Sequence, residues 1–173
     1  MFEKNDTPFK IILYALFTLV LYLLQSVPAL GIRFMDVSPE LLLTLVIAVA
    51  FFENETFSAF FGLACGLLND IITGGVVGKS ALFFMFCAFF ISVLLQTLFR
   101  KMFLTYIAMT LALTALFLIL EYIFTVVFFK TPPIAFSLMK IILPKFLFTG
   151  VLSYPVYYIT KFLHKKTTRR DEE

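Results

Sequence analysis

Few side chains in this sequence have the types and spacing that catalysis or metal binding needs. The single histidine, His164, lies among lysines near the C-terminal end, and the two cysteines, Cys65 and Cys87, lie within apolar segments. Nucleophilic catalysis needs a base beside the nucleophile, and a metal site needs several ligands at defined spacing. The sequence has no such motif and no phosphate-binding loop. We therefore predict no enzyme, no metal and no cofactor, and we interpret the cysteines as buried structural thiols.

Four charged residues inside long apolar segments are the strongest candidates for a polar site: Asp70, Glu121, Lys140 and Lys145. Charges within a membrane pair with one another or line a water-filled cavity. The topology argued below puts all four in the outer half of the bilayer. We predict that Asp70 or Glu121 lies within ion-pair reach of Lys140 or Lys145. The favoured role is structural, fixing which helices are neighbours; an ion or proton path and a solute pocket are the alternatives.

A second candidate is a run of small residues between Phe57 and Ser80. Residues four apart share one face of a helix, and the stretch has such spacing throughout, at Gly62, Gly66, Asp70, Gly74 and Gly78. Ala59 belongs to the same face. Small residues let another helix approach closely within a membrane. We expect Gly74 to end the helix and Gly78 to lie in the following turn. The glycine face is either a packing surface within the protein, which we favour, or a docking groove for a partner's helix.

The composition predicts an integral membrane protein. Of the 173 residues, 61% are hydrophobic and 14% are charged, and the mean hydropathy is +1.00. A soluble domain carries about 25% charged residues. The apolar residues form long blocks between short charged segments, as membrane-spanning helices do.

The blocks predict one domain with six transmembrane helices in a single bundle. We place them at about 11–30, 39–52, 56–72, 80–99, 102–129 and 134–163, followed by a basic tail, 164–173. Ser38 is expected to cap the second helix, with Pro39 and Glu40 in its first turn. Only 12 apolar residues follow, which is short for a span. A re-entrant segment is disfavoured because it would strand Glu53 and Glu55 at bilayer depth.

Basic residues in the connections predict the orientation of these helices. The side predicted to be cytoplasmic holds nine: Lys4, Lys10, Arg100, Lys101, Lys161, Lys165, Lys166, Arg169 and Arg170. The opposite side holds three: Arg33, Lys79 and Lys130. Both termini are therefore expected in the cytoplasm.

Two motifs resemble those of a known family. The first is Pro39-Glu40-Leu-Leu-Leu, and the second is Gly62-x3-Gly66-Leu-Leu-Asn-Asp70-x3-Gly74-x3-Gly78-Lys-Ser-Ala. Together with the length, the six predicted spans and the basic tail, they resemble the bacterial rod shape-determining protein MreD family.

This resemblance implies a non-enzymatic scaffold of the cell-elongation machinery, the elongasome. Its expected partners are a bitopic MreC-like protein and, directly or indirectly, an MreB-like filament and the synthases of lateral peptidoglycan synthesis. The family is also similar in fold to the substrate-binding subunits of energy-coupling-factor transporters. That similarity implies an alternative function, a six-helix solute-binding subunit of a vitamin or micronutrient transporter. The first helix here lacks the small-residue face of those subunits, which weighs against it.

Overall fold

The computed structural model describes residues 8–26, 38–74, 77–97, 102–129 and 142–170. Within these ranges the chain is all α-helical, as predicted. The helices are α1 (Pro8–Ser26), α2 (Leu41–Phe52), α3 (Glu55–Thr73), α4 (Lys79–Thr97), α5 (Phe103–Phe129) and α6 (Leu143–Arg170). The predicted start of the last helix, 134–141, lies outside the described residues, and so does Lys140.

The start of α2 differs from the prediction. The helix begins at Leu41, Glu40 occupies the N-cap position, and no side chain of the preceding segment caps it. Groups from distant helices bind its first N–H groups instead. Glu40 N–H donates to Thr149 Oγ1 at 3.1 Å, and Leu42 N–H donates to Gln25 Oε1 at 3.3 Å. Ser38 is thus not the N-cap, because tertiary partners satisfy the backbone groups that a local cap would have served.

The short helix α2 is the centre of the fold. Eleven of its 12 residues are buried, and it contacts each of the other five described helices. A helix of this length is only about 18 Å long, against about 30 Å for the apolar core of a bilayer. Because protein rather than lipid surrounds α2, its length does not have to match the membrane.

The remaining helices expose large apolar side chains on their outer faces. Phe60, Ile71, Leu104, Val151 and Phe162 are each more than 60% exposed. In the described chain, two helical segments are long and apolar enough to cross a membrane: 55–73 in α3 and 103–124 in α5. The apolar helical segments 10–26, 41–52 and 79–95 are shorter.

Buried hydroxyls line the inner face of α6. Thr149, Ser153 and Thr160 are at most 1% exposed, and each donates a hydrogen bond to a carbonyl three or four residues earlier. The Tyr106 hydroxyl of α5 lies 3.3 Å from both Thr44 O and Ser153 O, at the meeting point of three helices. Polar groups therefore face inward and apolar groups face outward, the arrangement that a lipid solvent favours.

Candidate functional site

The glycine face of α3 is covered by α4 of the same chain. A Cβ added to Gly62 would lie 2.6 Å from the Phe84 carbonyl oxygen, and one added to Gly66 would lie 2.5 Å from that of Ser80. Real Cβ atoms do not approach backbone this closely. The glycines are what allows the two helices to touch. The structure therefore leaves no free groove here for a partner's helix.

Asp70 closes this α3–α4 hairpin. Its Oδ1 accepts the Ser80 N–H at 3.0 Å, and its Oδ2 accepts the Gly78 N–H at 2.7 Å and the Ala81 N–H at 3.4 Å. These are the free N–H groups at the start of α4, where the helix dipole also favours a negative charge. Asp70 therefore caps a helix, and among the described residues it forms no ion pair with Lys145. Lys140 lies outside the described residues, so the predicted pairing of Asp70 with Lys140 stays a prediction.

The other members of the glycine motif have the expected local roles. Gly74 adopts the left-handed conformation (φ 61°) directly after α3, and its N–H donates to Asp70 O at 3.0 Å. Gly78 has φ 97° in the turn before α4. Ala59 is half-buried, so it contributes less to the contact than Gly62 and Gly66 do. The motif as a whole encodes a tight helical hairpin.

Lys145 lies between two carboxylates near the start of α2. Its Nζ is 2.5 Å from Glu40 Oε1 and 2.9 Å from Glu121 Oε2. We call these three residues the Glu40 cluster. The side chain of Glu40 is 2% exposed, that of Lys145 13% and that of Glu121 21%. The structure thus brings together Glu121 and Lys145 of the four predicted residues and adds Glu40, which the sequence indicates only as a first-turn acid and a member of the first family motif.

A second buried cluster lies at the other end of α2, around Glu53. Lys10 Nζ is 2.5 Å from Glu53 Oε2, while the Tyr14 hydroxyl and His164 Nδ1 are each 2.9 Å from Oε1. Burial alone would raise the pKa of Glu53, but the hydrogen bonds from His164 and Lys10 hold it below its usual value. These four residues form the Glu53 cluster.

The sequence patterns around Glu53 and His164 do not indicate this buried cluster. The Glu53 side chain is 5% exposed, and His164 stacks on Phe52 with 5.4 Å between ring centroids. The helix α6 also runs on to Arg170, through the segment predicted as a tail. A sequence signal existed: Lys10, Tyr14, Thr18 and Gln25 recur on one face of α1, as inward-facing residues do.

A neutral network joins α1, α3 and α4. Gln25 Nε2 donates to Asn69 Oδ1 at 3.0 Å, and Asn69 Nδ2 donates to Ser80 Oγ at 3.4 Å. Gln25 Oε1 also accepts the Leu42 N–H of α2. The Gln25 amide therefore connects α1 and α3 to the central helix, and Asn69 extends the network to α4. Neither Gln25 nor Asn69 is among the site residues predicted from the sequence, although a polar side chain within an apolar segment is itself a signal.

An apolar groove of about 470 Å³ runs between α1 and α3. Tyr14, Thr18 and Cys65 form part of its lining, and Ala15 and Ala64 are small, exposed residues on its two sides. Its remaining lining is aliphatic or aromatic: Ile11, Leu19, Phe57, Phe60, Phe61 and Leu68. The groove is thus suited to an apolar occupant. In the described part of the chain, no three His, Cys, Asp or Glu residues are grouped as metal ligands.

Comparison with protein-family models assigns the chain to a family. The family described as rod shape-determining protein MreD matches residues 6–166, nearly the whole sequence. The chain belongs to the MreD family. Searches of curated proteins and of solved structures find no match.

Membership in the MreD family implies a role in rod shape determination for this membrane protein. The family is one of shape-determining membrane components and not a known family of enzymes. The two motifs that resemble MreD have structural partners in this chain. Glu40 pairs with Lys145, and Gly62, Gly66 and Asp70 hold α3 against α4.

Proposed function

We propose that this protein is a non-enzymatic scaffold of the bacterial cell-elongation machinery. It would cross the inner membrane six times with both termini in the cytoplasm and dock a bitopic MreC-like partner. Through that partner or directly, it would help to organise an MreB-like filament and the synthases of lateral peptidoglycan synthesis. The observation that carries this proposal is the MreD family match over residues 6–166.

The polarity of the helices supports six spans. The helices outside α2 expose apolar side chains, and the ionised groups of the Glu40 and Glu53 clusters lie within the bundle. Charged groups within a bilayer take this inward position. The similarity in fold to energy-coupling-factor subunits remains part of the proposal. The solute-binding alternative gains no support from the family match, and we do not propose it.

The partner's helix needs a surface other than the glycine face, since α4 covers that face. We assign the α1–α3 groove to it. The groove is open and apolar, and Ala15 and Ala64 leave room for close approach of a backbone. Helix association in a membrane depends on such packing, because lipid provides no hydrophobic drive between helices.

An Ala64→Trp substitution tests the assignment by filling the groove from its rim. We expect the variant to fold and to lose co-purification of the MreC-like partner, with rounder cells when it replaces the parent. Ala112→Trp is the matched control, since Ala112 is an exposed alanine on α5. Normal partner binding by Ala64→Trp, or loss of binding only in Ala112→Trp, would reject the groove as the docking surface.

The shape role is tested separately by depleting the protein in its native cell. Cell width and vitamin uptake are the two measurements. We expect cells to become round while uptake is unchanged. Normal rods with reduced uptake would reject the proposed function in favour of the transporter alternative.

A further inference from the structure

The Glu40 cluster contains an oxygen atom that its described neighbours do not explain. Glu40 Oε1 is 2.5 Å from the Lys145 ammonium, but Glu40 Oε2 is fully buried and has no hydrogen-bond partner in the described part of the chain. The residue is 1% exposed, so water does not cover this oxygen from the surface. An ionised oxygen that is buried without a donor is much more costly than a neutral one.

The same ammonium serves a second carboxylate. Lys145 Nζ also lies 2.9 Å from Glu121 Oε2, so this one ammonium contacts two carboxylates. Two carboxylates at one site do not both remain ionised readily, because each disfavours the charge of the other. A single proton on one of them relieves both the repulsion and the unpaired oxygen.

In the described part of the helices that surround α2, no donor forms a hydrogen bond with Glu40 Oε2. Around its N-terminal end, α1 and α3 present the neutral amides of Gln25 and Asn69, which bind each other. The helix α4 presents Lys79, whose charge acts on Glu40 but whose ammonium lies 6.0 Å from the centre of the Phe117 ring. The helices α5 and α6 present Glu121 and Lys145, the cluster itself.

We propose that the Glu40 cluster is a proton-binding site, in which one proton resides on Glu40 Oε2 while Glu121 stays ionised beside the Lys145 ammonium. Glu40 is the carrier because its carboxyl is the more deeply buried, 2% against 21% for Glu121, and because it has the unpartnered oxygen. The proton comes from a hydronium ion at the side where Glu121 is partly exposed. The O–H bond that forms on Glu40 replaces one that breaks in the hydronium ion, which leaves as water. Its release leaves a second buried anion next to α2 and weakens the contact of α2 with α5 and α6.

Infrared spectroscopy of the purified protein in lipid nanodiscs tests the proposal. A protonated carboxyl has a C=O stretching band that carboxylates lack. At neutral pH we expect one such band in the parent, shifted by exchange into deuterium oxide and lost in Glu40→Gln. In Glu121→Gln the band should disappear at a lower pH than in the parent, since a neighbouring carboxylate no longer disfavours the charge of Glu40. Glu55→Gln, at the start of α3, is the matched control and should keep the band.

Thermal stability gives a second measurement. The parent should lose stability as the pH rises from neutral to alkaline, because the cluster then gives up its proton. Glu40→Gln should show a smaller loss, while Glu55→Gln should follow the parent. If Glu40→Gln does not fold, the parent's band and its disappearance at alkaline pH still decide the question. Absence of the band in the parent at neutral pH, or its persistence in a folded Glu40→Gln protein, would overturn the proposal.

Discussion

His164 Nδ1 lies 2.9 Å from Glu53 Oε1, although 111 residues separate the two along the chain. The contact joins the cytoplasmic end predicted for the last helix to the junction of α2 and α3. Lys10 and Tyr14 bind the same carboxylate from the first helix. One buried acid therefore connects the first described helix, the central helix and the last.

Glu53 should make stability depend on pH on the acid side. Its pKa in the folded protein is lowered from an ordinary 4.5, so its contribution is present above that pH and is lost as the pH falls through the folded value. We expect the melting temperature of the parent to fall as the pH decreases below about 4.5. Thermal unfolding in nanodiscs over an acid pH series measures this. In Glu53→Gln the acid-side slope should be smaller, and an unchanged slope would contradict the assignment.

Replacing Lys145 by methionine should destabilise the bundle. The substitution leaves Glu40 and Glu121 near each other without their shared ammonium. Removing one partner of a buried ion pair costs about 3–5 kcal/mol. The level of folded protein and its melting temperature should both fall, and Lys145→Met combined with Glu121→Gln should recover part of the loss. Lys161→Met is the control, because Lys161 is exposed on the same helix. Equal stability of parent and Lys145→Met would refute this role.

Gly66→Leu should separate α3 from α4. Even a Cβ at this position would lie 2.6 Å from Ala81 N, so the backbone of α4 has to move. We expect a loss of about 3 kcal/mol, the upper end of overpacking costs. Gly150→Ala is the control, because Gly150 is a helical glycine that does not face a backbone. Its Cβ would meet only the side-chain atom Leu111 Cδ2, at 3.0 Å, and a side chain can adjust. Comparable melting temperatures for the two variants would show that the glycine face is not a close helix contact.

Asp70→Ala should loosen the start of α4 without disturbing the Glu40 cluster. The variant leaves the N–H groups of Gly78 and Ser80 without their acceptor. Loss of an N-cap costs about 0.5–2 kcal/mol. Amide hydrogen exchange should become faster in the first turn of α4, with little change at the start of α2. Asp70→Asn, which keeps one acceptor oxygen, should show a smaller effect. Faster exchange centred on α2 would instead place Asp70 within the charge cluster.

The lengths of the apolar blocks determined much of the fold. Within a bilayer, a block of about 20 apolar residues is stable mainly as a helix, because lipid offers its backbone N–H and C=O groups no hydrogen-bond partners. The all-α architecture and most helix positions followed from this alone. The spacing of Gly62, Gly66 and Asp70 likewise determined a shared helix face. Such local features depend on residues a few positions apart, which a single sequence displays directly.

The tertiary structure decided which side chains meet. Glu40 and Glu53 flank a short apolar segment, and their local sequence does not indicate that either is buried. They are buried because α6 and α1, from opposite ends of the chain, close over the two ends of α2. Asp70 was expected to form an ion pair because it is a carboxylate within an apolar segment. In the structure it instead accepts hydrogen bonds from backbone N–H groups at the start of the next helix. The packing of the helices determines which group lies next to a charged side chain, and no local sequence pattern specifies that packing.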